Sequence, residues 1–431
     1  MKPSNACRLL SDNWKIVQFD FNKGLEAGAY KKNFYNAESL NARIPQTVPS
    51  ILFANGKIAD PYFADNVLTL DWIEKKEWWF YTDIIINRKP GRKYSIFFEG
   101  INYRAEIWFN SVQIGILEGM FNSSEFSIPE EIIAKGQNRL SLRLRSQENS
   151  WEDQPARDIS RGTIRTQGTV AQFSYYWNWA PHLIPIGIWR PVYLREKSYA
   201  SLGSLDASTG ISSNLKTGNV NIKCSIIYNT HSFFAGKKNK SSRRVILCGD
   251  LKNPSGKIVC SKAVNINIPA AGSGIKNCRL KISVKNPKLW WPNGYGDQPL
   301  YKLEIKLAES GGKPIESTGR SMAFREIKLI RNTDSAAVQA LSGQSNRMWS
   351  IKGDPYPWTL VVNKKRIFAK GVNIVPFDSM YNFTSERYRR ILELARDSHL
   401  IVLRVWGGGI TENDEFYDLC DKYGLLVWQE F

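Results

Sequence analysis

Hydrophobic and polar residues alternate with a two-residue period over most of the first two thirds of the chain. In 140–145, Leu140, Leu142 and Leu144 share one face while Arg143 and Arg145 point away from it. Residues 94–99 and 105–109 carry the same short pattern, and Asn110-Ser111 and 135–138 supply turn residues. Many short strands with turns between them predict a β-sandwich over 1–196. A second strand-rich stretch, including 220–227 and 301–307, has the length and pattern of one immunoglobulin-like β-sandwich over 197–331. The polar residues 332–353, with Thr333-Asp334-Ser335 and Ser342-Gly343-Gln344, read as a linker.

The period changes in 354–431. Residues 358–368 form a hairpin pattern with Asn363-Lys364 at its turn. Tyr388, Ile391, Leu392 and Ala395 then follow at helical spacing. Thr384 or Ser385 can cap that helix, and Glu386 sits near the positive end of its dipole. A continuous apolar run, 400–403, leads into Arg404-Val405-Trp406 and three glycines, 407–409. A second helix is predicted over about 412–423, with Phe416, Leu419, Cys420 and Tyr423 on one face and Gly424 placed to stop it. A third apolar run, 425–428, ends in Gln429-Glu430-Phe431. Apolar strands separated by helices predict a parallel sheet. Three such strands with an open edge are expected to leave Ile401, Leu403, Leu425 and Val427 short of packing, and either the chain prone to aggregation or 354–431 prone to proteolysis.

Composition narrows the function classes. At 42% hydrophobic and 23% charged the chain is a folded one. No run reaches the ~18 apolar residues that span a bilayer, so no membrane partner is expected. The first residues, MKPSNACRLLSDNWK, show no secretory pattern, which predicts a cytoplasmic address, or a periplasmic or secreted one if the true start lies upstream. The net charge of +19 raises the question of nucleic acid. Lys and Arg are scattered through strand-like segments, however, and the densest cluster (237–240 with Arg243-Arg244) reads as a hairpin tip, so no nucleic-acid partner is expected. Six cysteines without a CxxC pair argue against a metal site; the four between 224 and 278 could pair in an oxidising compartment, but with no secretory pattern reduced core thiols are expected. His182, His231 and His399 are far apart in sequence, so neither a histidine triad nor a three-histidine site is expected. Most of the 15 tryptophans are expected in β cores, with a minority offering flat faces to sugar C–H groups.

In a βα barrel, functional side chains sit at the C-terminal ends of strands. Three clusters occupy such positions: Asn373, then Arg404 with Trp406, then Gln429 with Glu430. Arg404 can hold a carboxylate in a bidentate fork or close the sheet through an ion pair. The glycines after Trp406 would let a ligand approach the backbone. They lack the spacing of a phosphate loop. Asp378 reads as a loop or cap residue, and Glu130-Glu131 as a helical first turn.

These residues resemble glycoside hydrolase family 2, in particular its β-mannosidase branch. The likeness is carried by 44–49 (IPQTVP), 56–62 with Asn66, 176–181 (YWNWAP), 187–192 (GIWRPV), 289–296 (LWWPNGYG) with 298–301, Phe324-Arg325, Ile367-Phe368, Lys370-Gly371, Asn373, 404–409 (RVWGGG), 416–421 and 425–431. Ala323 replaces the Gly of the family's G-F-R strand. The resemblance implies a multidomain β plus α/β chain: a jelly-roll-like sandwich, an immunoglobulin-like sandwich, and the first three βα strands of an incomplete TIM barrel. It implies a retaining hydrolase of terminal β-linked mannose or a similar sugar on oligosaccharides, with no metal or organic cofactor, since two carboxyls suffice. It places Trp177 and Asn178 on a sugar-facing loop, and Asn373, Arg404, Trp406 and Glu430 around the substrate. Asn178 stands where the family has Asp, which removes charge-assisted bonding. Ala180 stands where the family has Gly, which is expected to alter the turn. The family's acid/base and nucleophile would fall beyond Phe431, so no catalytic residue is assigned and residues 1–431 are expected not to hydrolyse. A carbohydrate-binding protein without catalysis, or an exo-β-glucosaminidase or β-galactosidase of the same family, are the alternatives.

Overall fold

The computed structural model describes residues 6–147, 166–230, 243–331 and 358–431. The expected linker at 332–353 and the lysines of 237–240 lie outside the described residues.

The strand Glu77–Ile86 shows why the N-terminal region folds as it does. Its sequence, EWWFYTDIII, is mostly apolar, and its first six residues are all buried, as in a strand covered on both faces. It pairs antiparallel with Trp14–Phe19 on one side and Gly136–Arg145 on the other, inside a six-stranded sheet completed by Leu40–Ala42, Arg104–Phe109 and Val112–Glu118. Four further strands, Cys7–Leu9, Val192–Lys197, Lys93–Phe98 and Ser124–Ile128, form a second sheet. Trp14, Trp78, Phe80, Ile96, Phe98, Ile107 and Leu142 share one buried core between them.

The other face of the six-stranded sheet is covered too. Val17, Trp79, Tyr81 and Trp108 pack there with Ala29, Leu25, Tyr30 and Phe34 from the connection that follows Trp14–Phe19. Arg143 and Arg145 do alternate with the leucines, but they are buried, not solvated. Arg143 bonds Glu77 and Glu106, Arg145 bonds Glu106, and both guanidiniums lie over the Phe21 ring. Period-two patterning identifies faces; it does not say whether a polar face is wet. The turn at Asn110-Ser111 is present, with both residues at positive φ as a tight hairpin requires. Glu130–Ile132 is the expected single helical turn.

The second β region has a three-stranded sheet (Ala200–Ile211, Thr217–Asn229, Ser273–Lys285) and a four-stranded one (Ile258–Ile268, Arg243–Lys252, Tyr301–Glu309, Pro314–Met322). Val220, Ile222 and Ile226 from the first meet Val245, Leu247, Ile305 and Leu307 from the second in one core. Trp358–Val362 and Lys365–Ile367 form the expected hairpin around Asn363-Lys364. The hairpin continues the strand Ile327–Arg331 into a three-stranded antiparallel sheet, so it extends the preceding region.

The last unit is a parallel three-stranded sheet, Gly371–Ile374, Val402–Val405 and Leu426–Gln429, with helices Ser385–Asp397 and Asp414–Tyr423 in the connections. Thr384 caps the first helix by accepting from the Arg387 N–H at 3.2 Å. Gly424 ends the second in the left-handed region at φ 76°, and an added Cβ there would stand 2.6 Å from the Asn293 nitrogen. The expected packing defect does not appear: Ile401, Leu403 and Leu425 are buried and Val427 is half-buried. Leu403 and Leu425 pack against Tyr388, Leu392, Phe416 and Cys420 of the two helices. Ile401 packs on Trp290, Val362 and Ile367 of the neighbouring region.

The segment around Trp290 explains this firm seating. Trp290 is fully buried and donates through Nε1 to the Asp421 carbonyl at 2.7 Å. Arg325 lies over its ring and bonds the Asp421 carboxylate at 2.8 Å. Asn293 donates to the carbonyls of Arg396 and Leu400, at 2.7 and 3.1 Å. Residues 290–293 therefore act as a clamp on the helix ends of the parallel unit.

Candidate functional site

Parallel register sets Asn373, Arg404 and Trp428 side by side on one face of the sheet. The strand ends then converge. Arg404 donates through Nε and Nη2 to Glu430 Oε1, at 2.8 and 2.5 Å, and through Nη1 to Asn373 Oδ1 at 3.0 Å. Glu430 Oε2 accepts the Gly407 N–H at 3.0 Å. That N–H first, and the Arg404 guanidinium second, hold the Glu430 carboxyl below its ordinary pKa. Glu430 is therefore an anchored carboxylate, and Arg404 positions two neighbours with its whole fork. Gln429 turns aside and accepts from the Tyr417 hydroxyl at 2.6 Å.

The glycines after Trp406 have a different use from the one expected. A Cβ on Gly408 would stand 2.2 Å from the Trp406 ring, and one on Gly407 would stand 3.2 Å from Glu430 Cβ. The Gly408 carbonyl accepts the Phe173 N–H at 3.3 Å. The protein itself occupies the space the glycines leave: Glu430 at Gly407, the Trp406 ring at Gly408 and Pro376 at Gly409.

The N-terminal sandwich supplies the facing wall. A short hairpin, Tyr175–Trp177 paired with Ala180–His182, carries Asn178 and Trp179 at its tip. Trp177 meets Trp406 edge to face at 4.9 Å between ring centres, and Trp179 meets it at 5.8 Å. Phe173 stacks on Trp179 at 5.5 Å. Asn178 is exposed at the tip. Ala180 has ordinary strand backbone, so replacing Gly there does not strain the turn; the left-handed residue is Tyr176, at φ 84°. Three bonds lock this wall to the loop after the first parallel strand. Thr47 Oγ1 donates to the Met380 carbonyl at 2.7 Å, the Tyr62 hydroxyl donates to Asp378 at 2.9 Å, and Ser174 and Tyr381 share a hydroxyl bond at 3.0 Å. Asp378 is the loop residue expected, and it also accepts the Met380 N–H and pairs with Arg387.

All six expected site residues thus fall in one neighbourhood. Asn373, Arg404 and Glu430 are hydrogen-bonded together, Trp177 touches Trp406, and Asn178 is exposed beside them. Two aromatic residues were missed. Trp179 had only its place within YWNWAP as a signal. Trp428 counts in the sequence only as the end of an apolar run, but it is 61% exposed on the Arg404 face of the sheet. The histidines are as scattered in sequence as expected, yet folding brings His182 to Glu74 at 2.9 Å, with Asp71 close by. That pair braces the base of the tryptophan hairpin.

In the loop after the glycines, Glu412 is buried and accepts from the Tyr388 hydroxyl, while Arg190 of the sandwich donates to the adjacent Thr411 carbonyl at 2.7 Å. Burial pushes the Glu412 carboxyl up to about 7, against the opposing pull of Tyr388 and Arg190. The folded state therefore holds a proton that the unfolded chain has already released. Stability is expected to fall as pH rises from about 4.5 through about 7, by ~3 kcal/mol in all. Thermal midpoints measured across that window should show the slope, and Glu412→Gln should flatten it; an equal slope in the variant contradicts the assignment.

Aromatic faces and anchored polar strand ends thus meet between a β-sandwich and an α/β unit. Residues 28–190 match the glycosyl hydrolase 2 galactose-binding domain-like family, and residues 203–325 match glycosyl hydrolases family 2. Its two β regions thus carry glycoside hydrolase family 2 domains. It is 30% identical to a β-mannosidase of Mus musculus over 412 residues, covering 91% of this chain and 43% of that relative. It is 27% identical to β-mannosidase B of Emericella nidulans over 400 residues, covering 90% and 43%. The crystal structure of a β-D-mannosidase from Dictyoglomus thermophilum superposes with a TM-score of 0.78 at 28% identity, covering 98% of this chain and 47% of that one. The exo-chitosanase of Amycolatopsis orientalis shares the fold, with a TM-score of 0.73 at 19% identity over 97% of this chain and 43% of that one. The chain spans less than half the length of the curated relatives it matches.

Proposed function

We propose that this chain is the sugar-binding part of a retaining hydrolase of terminal β-linked mannose or a closely similar sugar, and that its parallel unit is the opening of a (β/α)₈ barrel. The observation that carries this reading is the convergence of Asn373, Arg404 and Glu430 beside a tryptophan wall drawn from a second domain. A pyranose offers an apolar C–H face to an aromatic ring and hydroxyls to amides and carboxylates, and this surface holds both kinds of partner. Likeness to β-mannosidases over nine tenths of the chain supports mannose as the sugar.

Retaining hydrolysis needs two carboxyls about 5–5.5 Å apart, one free to attack and one free to exchange a proton. Glu430 is committed to Arg404 and Gly407, and Asp378 to Tyr62, Arg387 and the Met380 N–H. Residues 1–431 by themselves are therefore proposed to bind without hydrolysing. Calorimetry of the purified chain with a β-mannoside and with a β-galactoside, alongside an aryl β-mannoside release assay, tests both parts. Binding of the mannoside in preference, with no release, is expected. Release of the aryl group would overturn the account of the carboxylates, and absence of any sugar binding would overturn the site. A carbohydrate-binding role without catalysis is the second reading; exposed Asn178, in place of an acid, is the observation that favours it.

A further inference from the structure

Cys224 and Cys278 stand directly opposite one another on the antiparallel strands Thr217–Asn229 and Ser273–Lys285. Opposed residues on such strands have Cα atoms about 4.5–5.5 Å apart, inside the ~4.4–6.8 Å that a disulfide spans. Being opposed, they also project from the same face of the sheet. Cys278 Sγ donates to the Cys224 carbonyl at 3.2 Å, and Cys224 Sγ to the neighbouring Ser225 carbonyl at 3.5 Å. Both are free thiols; Cys224 is buried and Cys278 half-buried. The other cysteines lack this arrangement. Cys248 faces Ala263 and Lys306, Cys260 faces Leu251, Cys7 faces Arg195, and Cys420 lies in a helix.

We propose that Cys224 and Cys278 form a dithiol site that a low-molecular-weight disulfide converts into a cross-strand bond. The better exposed Cys278, once deprotonated, attacks one sulfur of the small disulfide and releases the first small thiolate. Cys224, deprotonated in turn, attacks the Cys278 sulfur of the mixed disulfide and expels the second. Two protein thiols and one small disulfide become one protein disulfide and two small thiols. Between the two cysteines the chain leaves this sheet, forms Arg243–Lys252 and Ile258–Ile268 in the other, and returns. The bond therefore closes a loop that runs through strands of both sheets of the second sandwich, which restricts its unfolded ensemble. Burial raises both thiols, Cys224 to about 12, so the exchange is slow at neutral pH and quickens as pH rises.

Incubating the whole chain with oxidised glutathione at mildly alkaline pH tests this. The native protein should lose two of its six thiols and lose the mass of two hydrogens. Its peptide map should join Cys224 to Cys278, and its unfolding midpoint should rise by about 5 °C or more. Cys278→Ser should abolish the bond and Cys248→Ser should leave it intact. Glutathione adducts without a cross-link in the native chain, or a cross-link through other cysteines, would overturn the proposal. The peptide maps of the wild type and of Cys248→Ser decide the matter even where Cys278→Ser folds poorly.

Discussion

Glu77→Ala is expected to cost the N-terminal sandwich about 3–5 kcal/mol, the range for breaking a buried ion pair from one side. Glu77 is completely buried and spends both oxygens inside the protein. Oε1 accepts the N–H groups of Gly24 and the Trp79 ring, each at 2.9 Å, and Oε2 accepts the Asn22 N–H at 3.0 Å and Arg143 Nε at 2.7 Å. Removing the carboxylate leaves a buried guanidinium and three donors without their acceptor. Glu106 remains near Arg143 at 3.4 Å, but it already serves Arg145. Chemical denaturation followed by tryptophan fluorescence measures the effect. Trp79 stacks on Trp108 at 5.1 Å within the same cluster, so emission reports that region. A shift below about 1 kcal/mol would mean that Arg143 finds water or another acid in its place.

Arg404→Met is expected to weaken β-mannoside binding at least tenfold, the scale of a lost hydrogen bond to a charged group. The guanidinium fixes Asn373 and Glu430 through three hydrogen bonds, and methionine keeps its bulk without donors. Arg404→Lys should recover only part of the loss, because an ammonium cannot reproduce the fork. The pH profile separates positioning from mere packing. In the wild type Glu430 is held ionised below the usual carboxylate range by Gly407 and Arg404. Without Arg404 its carboxyl rises toward the ordinary value, so the acid limb of binding should move to higher pH. An affinity loss with an unmoved acid limb would assign Arg404 to fold maintenance alone.

The strands of both sandwiches were legible because alternation is a direct property of a pleated chain, as at 140–145. The helices Ser385–Asp397 and Asp414–Tyr423 were legible from spacing and from Thr384 and Gly424 at their ends. What alternation hid was the second covering layer. Arg143 looks like a solvated residue until the residues after Phe19 are known to fold over it. The strand ends were legible as candidate positions because apolar runs stopped at Asn373, Arg404 and Glu430. Their mutual bonding was not, since it depends on parallel register across about thirty residues of intervening helix and loop. The same limit concealed Trp428, whose exposure depends on which sheet face it takes, and the glycines at 407–409, whose space is filled by Glu430, Trp406 and Pro376. His182 and Glu74 are 108 positions apart, and nothing local in the sequence joins them.

The most direct measurement is a crystal structure of the chain soaked with a β-mannoside. The sugar is expected with its C–H face against Trp406 or Trp177 and its hydroxyls within hydrogen-bond reach of Asn373 or Glu430. A sugar seated elsewhere on the sandwich, with the three strand ends empty or splayed apart, would contradict the account.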